Sequence, residues 1–337
     1  IVKADITQHN AQGRETKKMR KRVMTFPSCD GRTDIHAVCW TPGENEVQAV
    51  VQIVHGMTEF VERYEPFARF LTERGFAVVG HDHLGHGASI VSKEDWGYFA
   101  GERGASCLLG DMHRLRRAAE RRYPGLPYFM LGHSMGSFFL KAYLEMYGDG
   151  LSGAVIMGTG YYPDTVLRGG LRLIRRLALS RGWRHRSPLV KKLFFFGPFR
   201  RFDMTGKEPE NSWLTKDVQA VQAYHGDERS QFEFSLNAYY NFLKTILYGN
   251  QKKNLARIPK KLPILMLSGS DDPVGNFGRG VRRVERQFKA AGISQVSMKL
   301  YEGDRHEILN ELDREQVYED ILQWCEEIIS RPDHRGA

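Results

Sequence analysis

Cysteine is scarce in this sequence of 337 residues. Only four cysteines are present, and no two of them have the C-x-x-C spacing of a zinc or redox motif. Scattered cysteines of this kind do not fit a disulfide-stabilised secreted domain or a structural zinc site, and they favour a reducing compartment. We therefore expect a cytoplasmic protein.

Long apolar runs are also missing. No stretch reaches the roughly 20 apolar residues of a membrane-spanning helix, and the charged N-terminal segment is not followed by the apolar core of a secretory signal. Residues 1–25 are expected to form a loose, solvated lead-in. The composition, 41% hydrophobic and 26% charged without low-complexity tracts, is that of a globular protein with one large domain or a core with an inserted subdomain.

Acidic residues are outnumbered by basic ones, which gives a net charge of +9. The excess is concentrated, because residues 165–201 contain eleven Lys or Arg, no Asp or Glu, and the segments "LRLIRRLAL" and "LVKKLFFFGPF". A basic amphipathic segment of this kind predicts peripheral contact with an anionic membrane, and a helix that buries its apolar face within its own domain is the alternative. Nucleic-acid binding is not predicted, because the charge accompanies apolar residues and no nucleic-acid motif is present.

From residue 34 onward, short apolar runs alternate with segments of helical spacing. The predicted strands cover 35–40, 49–54, 76–82, 128–133, 153–159, 262–269 and 295–303. The predicted helices cover 64–75, 105–123, 137–148, 277–291 and 313–330. This alternation predicts an α/β fold with a mostly parallel central sheet and helices on both faces. It lapses between about 160 and 258.

One G-x-S-x-G match, Gly132 to Gly136, places Ser134 between a predicted strand and a predicted helix. The match alone carries little weight, because glycine and serine are common. The strand–turn–helix context matters more, since a sharp turn there holds a serine hydroxyl at the carboxyl edge of the sheet. The sequence therefore predicts that Ser134 is a nucleophile.

A serine nucleophile needs a histidine base and a carboxylate that orients the base. Asp271 and Asp272 follow the predicted strand 262–269, and His306 follows the last predicted strand. No other histidine lies between residues 226 and 333. Each residue taken alone could be a helix-capping or surface residue. Their joint occurrence in the chain order Ser, Asp, His favours a catalytic triad.

Two backbone amides are candidates for an oxyanion hole, which commonly uses the amide after the nucleophile and one from an earlier strand-end loop. Met135 supplies the first, and Met57 in "VHGMTE" supplies the second. A further loop, "GHDHLGHG" (80–87), contains three histidines. We interpret it as a glycine-punctuated loop and not as a zinc site, because the histidines follow a strand and do not have helical i, i+4 spacing.

Five blocks of the sequence together resemble a known family: "HGMTE…RY", "AVVGHDHLGHGAS", "YPGLPYFMLGHSMG", "LSGSDDPV" and "YEGDRHEIL". They are similar to the monoacylglycerol lipase and lysophospholipase group of α/β-hydrolases, which includes serine-aminopeptidase-like members. The likeness runs from about residue 30 to 330. It implies an α/β-hydrolase fold in which 26–159 and 259–333 form the core and 160–258 form an inserted, mainly helical cap.

The resemblance also implies roles for individual residues. Ser134 would be the nucleophile, His306 the base and Asp272, two residues after "GS", the acid in preference to Asp271. Members of the family need no metal ion or organic cofactor. The implied substrate is a small-molecule lipid ester with one acyl chain, such as a monoacylglycerol or lysophospholipid. A peptidase or acyltransferase on the same scaffold, or a non-catalytic lipid-binding protein, are the alternatives.

Two substrate-binding residues follow from the same likeness. Glu59 and Arg63 match the Glu and Arg of "HG-x-x-E-x-x-x-R-Y", which in monoacylglycerol lipases lie near the glycerol end of the substrate. A surface ion pair at the mouth of the cleft is the alternative. One position departs from the pattern, because some of these lipases have a histidine where this chain has Leu309.

Overall fold

The computed structural model describes residues 19–43 and 46–331, and its centre is an eight-stranded sheet. The strands are β1 (Arg20–Pro27), β2 (Asp34–Thr41), β3 (Ala49–Val54), β4 (Phe76–His81), β5 (Tyr128–His133), β6 (Gly153–Met157), β7 (Ile264–Gly269) and β8 (Val296–Tyr301). Their order in the sheet is β1-β2-β4-β3-β5-β6-β7-β8. The six strands from β4 to β8 in this order are parallel, and β2 is antiparallel to β1 and β4. The predicted mostly parallel sheet is confirmed.

Strand β1 corrects the sequence prediction at the N-terminal end. Residues 20–25 were expected in a loose lead-in, but they pair with β2 in a continuous antiparallel register from Arg20–Thr41 to Pro27–Asp34. The strand lies at the edge of the sheet and is mostly exposed, so its basic residues can remain in water. Residues 1–18 of the predicted lead-in lie outside the described residues. The seven predicted strands all occur, with ends within two residues of the prediction.

Helices cover both faces of the sheet. The described residues form α1 (Glu65–Thr72), α2 (Gly104–Arg122), α3 (Met135–Tyr147), α4 (Asp164–Arg181), α5 (Pro188–Phe194), α6 (Val218–Gly226), α7 (Leu236–Gly249), α8 (Lys252–Leu255), α9 (Arg279–Ala290) and α10 (Arg314–Ile329). Side chains alternate along the buried strands. Val50 and Met130 therefore pack in one core with residues of α2, α3 and α9, whereas Val51 and Phe129 pack in a second core with residues of α1 and α10.

Helices α4 to α8 form an insertion between β6 and β7, in the interval where the alternation lapses. Helix α7 packs against α3 and α4 and so connects the insertion to the core. On α4, Leu167 and Ile174 are buried, while Val166 and Leu179 are exposed among basic residues. None of the helices in the described residues is long and apolar enough to span a bilayer.

The sheet topology determines where a site can form. The chain passes from β3 outward to β4 and then returns to β5 on the other side of β3, which makes a topological switch point between β3 and β5. Loops that leave neighbouring parallel strands in opposite directions open a crevice at their carboxyl ends. The segment after β3 and the segment after β5 therefore face each other at this crevice.

Candidate active site

Ser134 lies at the tight turn between β5 and α3, as the sequence predicts. Its backbone has φ 53° and ψ −122°, in a region that costs a non-glycine residue free energy. The turn is held by a hydrogen bond from Ser134 N to the Met157 carbonyl at 3.0 Å. A Cβ at Gly136 would collide with the Val54 carbonyl, and one at Gly132 would collide with Gly136. The two glycines are therefore required by the close approach of backbone segments.

His306 and Asp272 meet after the last two strands of the sheet. The Nδ1 of His306 lies 3.0 Å from Oδ1 of the buried Asp272, which also accepts a 2.8 Å hydrogen bond from Val274 N. A carboxylate accepts hydrogen bonds, so Nδ1 is the donor of this contact, and Nε2 is the ring nitrogen that is left for another partner. Asp271 is exposed, and so it does not compete for this role.

Ser134 and His306 line the same cavity, which is narrow, with about 40 Å³ of free space. The Nε2 of His306 is buried and has no hydrogen-bond partner within residues 19–43 and 46–331, so the hydrogen bond between Ser134 and His306 is not formed in this structure. Catalytic hydrogen bonds often become short only when substrate is bound. The structure thus brings together the three predicted triad residues. His306 is hydrogen-bonded to Asp272, and Ser134 is not hydrogen-bonded to His306.

Met57 and Met135, the predicted oxyanion-hole residues, line this cavity together with Ser134. Neither backbone amide donates a hydrogen bond to another residue in the described part of the chain. The two walls are close, because a Cβ on Gly56 would lie 3.0 Å from the Ser134 Cβ. Two unpaired amides beside a serine side chain are the donors that an oxyanion needs.

The peptide that carries the Met57 amide is held on both sides of Gly56. Nδ1 of His55 lies 2.8 Å from the Gly56 carbonyl, and His83 N donates to Nε2 of the same ring at 2.9 Å. Because Nε2 accepts, Nδ1 must carry the proton and donate to the carbonyl. The Gly56 amide in turn donates to the Glu59 carboxylate. The motif around Met57 indicates this amide but not the groups that fix it.

Glu59 is buried and Arg63 is half-buried, and the two form the ion pair that the alternative interpretation expected, although it lies largely below the surface. Their side chains are 5% and 12% exposed, and Arg63 Nη1 donates to Glu59 Oε2 at 3.0 Å. Oε1 of Glu59 accepts from the Tyr64 hydroxyl at 3.0 Å and lies 3.1 Å from His133 Nδ1. Glu59 lines the same cavity as Ser134, and its role toward substrate stays a prediction.

Glu307, which the sequence analysis missed, completes this buried group of charges. Arg63 donates to both of its carboxylate oxygens at 2.8 Å, and Asn310 Nδ2 donates to Oε2 at 2.8 Å. Burial alone would raise the pKa of Glu307, but the adjacent Arg63 guanidinium lowers it to about 2. The carboxylate is therefore ionised at neutral pH. Its position directly after His306 was the available signal.

Trp213, from the insertion, covers His306, and the sequence did not predict this contact. Its ring stacks on the His306 imidazole with centroids 4.9 Å apart and planes inclined by 28°. The following carbonyl, of Leu214, accepts a hydrogen bond from Glu307 N at 2.7 Å. The insertion therefore forms a cap that is bonded to the loop carrying His306. No periodic pattern in the cap sequence indicated this contact.

The histidine-rich loop after β4 is buried, and only part of it fits the predicted local bonding. Asp82 accepts hydrogen bonds from Val61 N and Ala88 N at 2.8 Å. Both ring nitrogens of His81 and of His83, and Nε2 of His86, have no hydrogen-bond partner within residues 19–43 and 46–331. His83 and His86 are fully buried, and this burial lowers their pKa to about 4 and about 3, so both rings are neutral. Within the described residues, no three His, Cys, Asp or Glu side chains are arranged to hold a metal ion.

Comparisons with known proteins agree with this architecture. The family model described as serine aminopeptidase, S33, matches residues 45–313. The monoglyceride lipase of Homo sapiens is 36% identical over 303 residues, which are 85% of this chain and 84% of the relative. The monoacylglycerol lipase of Mycolicibacterium smegmatis is 26% identical over 288 residues, 85% of this chain and 90% of the relative.

Among solved structures, a thermostable carboxyl esterase from Bacillus coagulans in complex with glycerol superposes with a TM-score of 0.83 at 30% identity. The superposition covers 93% of this chain and 100% of the esterase. The predicted fold and family resemblance are thereby confirmed. The chain belongs to the serine aminopeptidase S33 family, within the monoglyceride lipase-like α/β-hydrolases, and it is a carboxylic ester hydrolase.

Proposed function

We propose that this enzyme cleaves carboxylic esters of single-chain lipids through an acyl-enzyme intermediate on Ser134. The observation that carries the proposal is the convergence on one cavity of Ser134, the Asp272-bound His306 and the free amides of Met57 and Met135. These are the nucleophile, the oriented base and the oxyanion donors of ester hydrolysis. The names of the relatives, monoglyceride lipase and monoacylglycerol lipase, support a lipid ester as substrate.

The proposed reaction has two halves. In the first, the Ser134 hydroxyl attacks the ester carbonyl while its proton passes to His306 Nε2, and the two amides stabilise the oxyanion by roughly 3 kcal/mol each. The C–O bond to the alcohol then breaks, and His306 returns the proton to the departing alcohol. In the second half, water attacks the acyl-serine with His306 again as base, which releases the acid and restores the hydroxyl.

An apolar groove in the cap is the proposed site for the acyl chain. This groove has a volume of about 370 Å³ between α4, α5 and α7, and it shares Tyr162 and Phe194 with the wall of the catalytic cavity. Its other lining residues are almost all apolar, including Leu173 and Leu243, and Gly169 leaves one side open. A chain that starts at Ser134 would pass between Tyr162 and Phe194 into this groove, which accounts for a preference for lipids.

The catalytic cavity is too small for an ester in the present conformation. Its free space of about 40 Å³ is about a tenth of that of the cap groove, and at roughly 10–15 Å³ for each water it holds about three water molecules. Phe195, Phe199 and Trp213 form a contiguous aromatic group over the site, with ring centroids 5.2 to 6.2 Å apart. Substrate binding in this proposal therefore moves the 195–213 segment of the cap away from Ser134.

Location is a further part of the proposal: the enzyme is cytoplasmic and contacts anionic membranes through its cap. Val166, Leu193 and Phe196 are 61%, 54% and 59% exposed around the mouth of the apolar groove and the α5 surface. Lys191 and Lys192 are exposed in the same segment. Exposed apolar side chains within a basic surface favour adsorption to anionic lipid, where the substrate dissolves.

A substrate panel tests the proposed function. Purified enzyme is assayed on a monoacylglycerol, a p-nitrophenyl acyl ester and amino-acid arylamides, with acyl transfer to added alcohols measured in parallel. The proposal expects the acyl esters to be hydrolysed with water as the main acceptor. Preference for the arylamides, or transfer to an alcohol in place of hydrolysis, would replace the proposal with a peptidase or an acyltransferase.

A further inference from the structure

The wall of the catalytic cavity is divided into an apolar side and a polar side. Tyr162 and Phe194 line both this cavity and the cap groove, and Phe138 and Phe242, which also line the cavity, pack against them. The polar side continues into a second cavity, with which it shares Glu59, His133 and Glu307. An ester that places its acyl chain on the apolar side must direct its alcohol toward the carboxylates. The polar side is therefore the leaving-group site of the proposed reaction.

The charges at this leaving-group site are unusual for a site that would bind phosphate. Arg63 is the single Lys or Arg among the described residues that line the two cavities, and it bonds to both Glu59 and Glu307. The face of its guanidinium is covered by the Tyr224 ring, 4.9 Å from the ring centroid. His133 is the other side chain at this site that can carry a positive charge, and its ring lies between the Glu59 carboxylate and the His306 carbonyl.

The carboxylates of the leaving-group site can accept further hydrogen bonds, whereas its Arg63 donor is already bonded. A carboxylate oxygen accepts about two hydrogen bonds. Oε1 of Glu307 and Oε2 of Glu59 each accept one, both from Nη1 of Arg63, within the part of the chain that the structure describes. Each oxygen can accept one more from a hydroxyl group. A phosphate has no hydrogen to donate when fully ionised, and the two cationic groups of the site, Arg63 and His133, are already paired with the carboxylates beside which it would lie.

We propose that Glu307 determines leaving-group specificity: together with Glu59 it makes this site an acceptor for neutral, hydroxyl-bearing alcohols and excludes alcohols that carry a phosphate. The inference rests on the proposed ester hydrolysis and names its substrate class. Of the two lipid classes compatible with a single acyl chain, it selects glycerol-type esters over lysophospholipids. The low pKa of Glu307 supports it, because the excluding charge is present throughout the neutral range.

The test compares two esters that differ only in the phosphate. Octanoylglycerol and octanoylglycerol phosphate are assayed below their aggregation concentrations, with p-nitrophenyl octanoate as an ester whose leaving group has no hydroxyl or phosphate. The wild-type enzyme is expected to show a kcat/KM for octanoylglycerol at least about tenfold above that for the phosphate. Glu307→Gln is expected to reduce this ratio by about tenfold, mainly through a lower KM for the phosphate ester. Its p-nitrophenyl ester turnover should stay measurable.

Controls separate charge from structure. Glu302→Gln removes an exposed carboxylate from the same loop and should leave the ratio unchanged, and Glu307→Asp should restore rejection of the phosphate ester because it restores the charge. The inference would be overturned if the Glu307→Gln enzyme still cleaves the p-nitrophenyl ester but its ratio of kcat/KM for the two lipid esters equals that of the wild type. Equal kcat/KM values for the two lipid esters in the wild type would overturn it without any variant. A wild type inactive on all three esters would instead contradict the proposed function, and the inference with it.

Discussion

The Glu59 carboxylate joins the two sides of the cavity around Ser134: it lies 3.1 Å from Nδ1 of His133, the residue before Ser134, and accepts the amide hydrogen of Gly56. Through these contacts one buried side chain fixes the Ser134 turn relative to the peptide that carries the Met57 amide. Burial favours the neutral form of His133, but the hydrogen bond and charge of Glu59 outweigh it and raise the pKa of His133. The raised pKa of His133 and the lowered pKa of Glu59 both favour the charged forms of this buried pair.

Replacement of Glu59 is expected to misalign the oxyanion hole. In Glu59→Gln the amide group cannot accept from Gly56, Tyr64, Arg63 and His133 as a carboxylate does, so the Met57 amide loses its fixed direction. We expect kcat for a p-nitrophenyl ester to fall on the order of 100-fold, the magnitude for loss of one oxyanion donor, with a smaller change in KM. The exposed Glu73→Gln is the matched control. A Glu59→Gln enzyme with wild-type kcat would contradict this role.

Glu307 should contribute to stability in a pH-dependent way. Its pKa is about 2 in the folded protein, below the ordinary value of 4.5, so its contribution is fully present above about pH 4.5 and is lost as the pH falls toward 2. Between pH 6 and pH 3, wild-type stability should fall about 2 kcal/mol more than that of Glu307→Gln. Urea unfolding at the two pH values measures this difference. Equal losses in the two proteins would show that the Arg63–Glu307 pair is not linked to folding in this way.

A bulky side chain in the cap groove should shorten the acyl chains that the enzyme accepts. Gly169 lines the groove, and a Cβ there would meet no atom within 4 Å, so Gly169→Phe can fill the groove without collision at the backbone. We expect kcat/KM for a 16-carbon p-nitrophenyl ester to fall by roughly tenfold or more, given the apolar area that a displaced chain exposes. Turnover of the butyrate should not change.

Ser180→Phe, at an exposed position of the same helix, controls for the helix surface. If Gly169→Phe lowers the activity on both chain lengths equally, the groove is not the acyl site. If it lowers neither, the chain takes another path from Ser134.

Basic residues of α4 are expected to contribute to membrane adsorption. Arg172 and Arg176 are exposed, and each basic residue near an anionic surface contributes about 1 kcal/mol. Arg172→Gln/Arg176→Gln should therefore weaken partitioning to anionic vesicles by about 2 kcal/mol, or close to 30-fold at low salt. Vesicle sedimentation measures it, with Arg282→Gln/Arg286→Gln on α9 as the charge-matched control. If the two double variants weaken vesicle binding equally, the protein is attracted to the vesicles by its overall charge and not through the cap.

Local patterns in the sequence predicted most of the core and the triad. The strand before Ser134, the helix after it and the polar residues after β7 and β8 are each read from a few adjacent residues, because buried parallel strands are continuous apolar runs. Strand β1 was missed because an edge strand exposes its side chains. Its first three residues, Arg20, Lys21 and Arg22, are all basic, so polar and apolar residues do not alternate there. The strand is held by its pairing with β2, and a pattern within β1 itself does not reveal that pairing.

The parts of the site that were missed depend on contacts distant in sequence. Arg63 and Glu307 are separated by 244 positions, and their pairing follows from the meeting of β3 and β8 loops at one edge. Trp213 reaches His306 from the cap segment between α5 and α6, which contains only short 3₁₀ turns and has no continuous period. Residue types and spacing predicted the nucleophile, base and acid. The charges that position them and the aromatic cover above them required the three-dimensional arrangement.

The most direct test of the central claim is the site of covalent labelling by a fluorophosphonate, read by intact mass and peptide mapping. The account predicts one adduct per chain, on Ser134, that is absent in Ser134→Ala and unaffected in Ser180→Ala. Ser134→Ala should also lose ester turnover by about a hundredfold or more while remaining folded. Labelling at another residue, or full ester turnover in folded Ser134→Ala, would contradict the account.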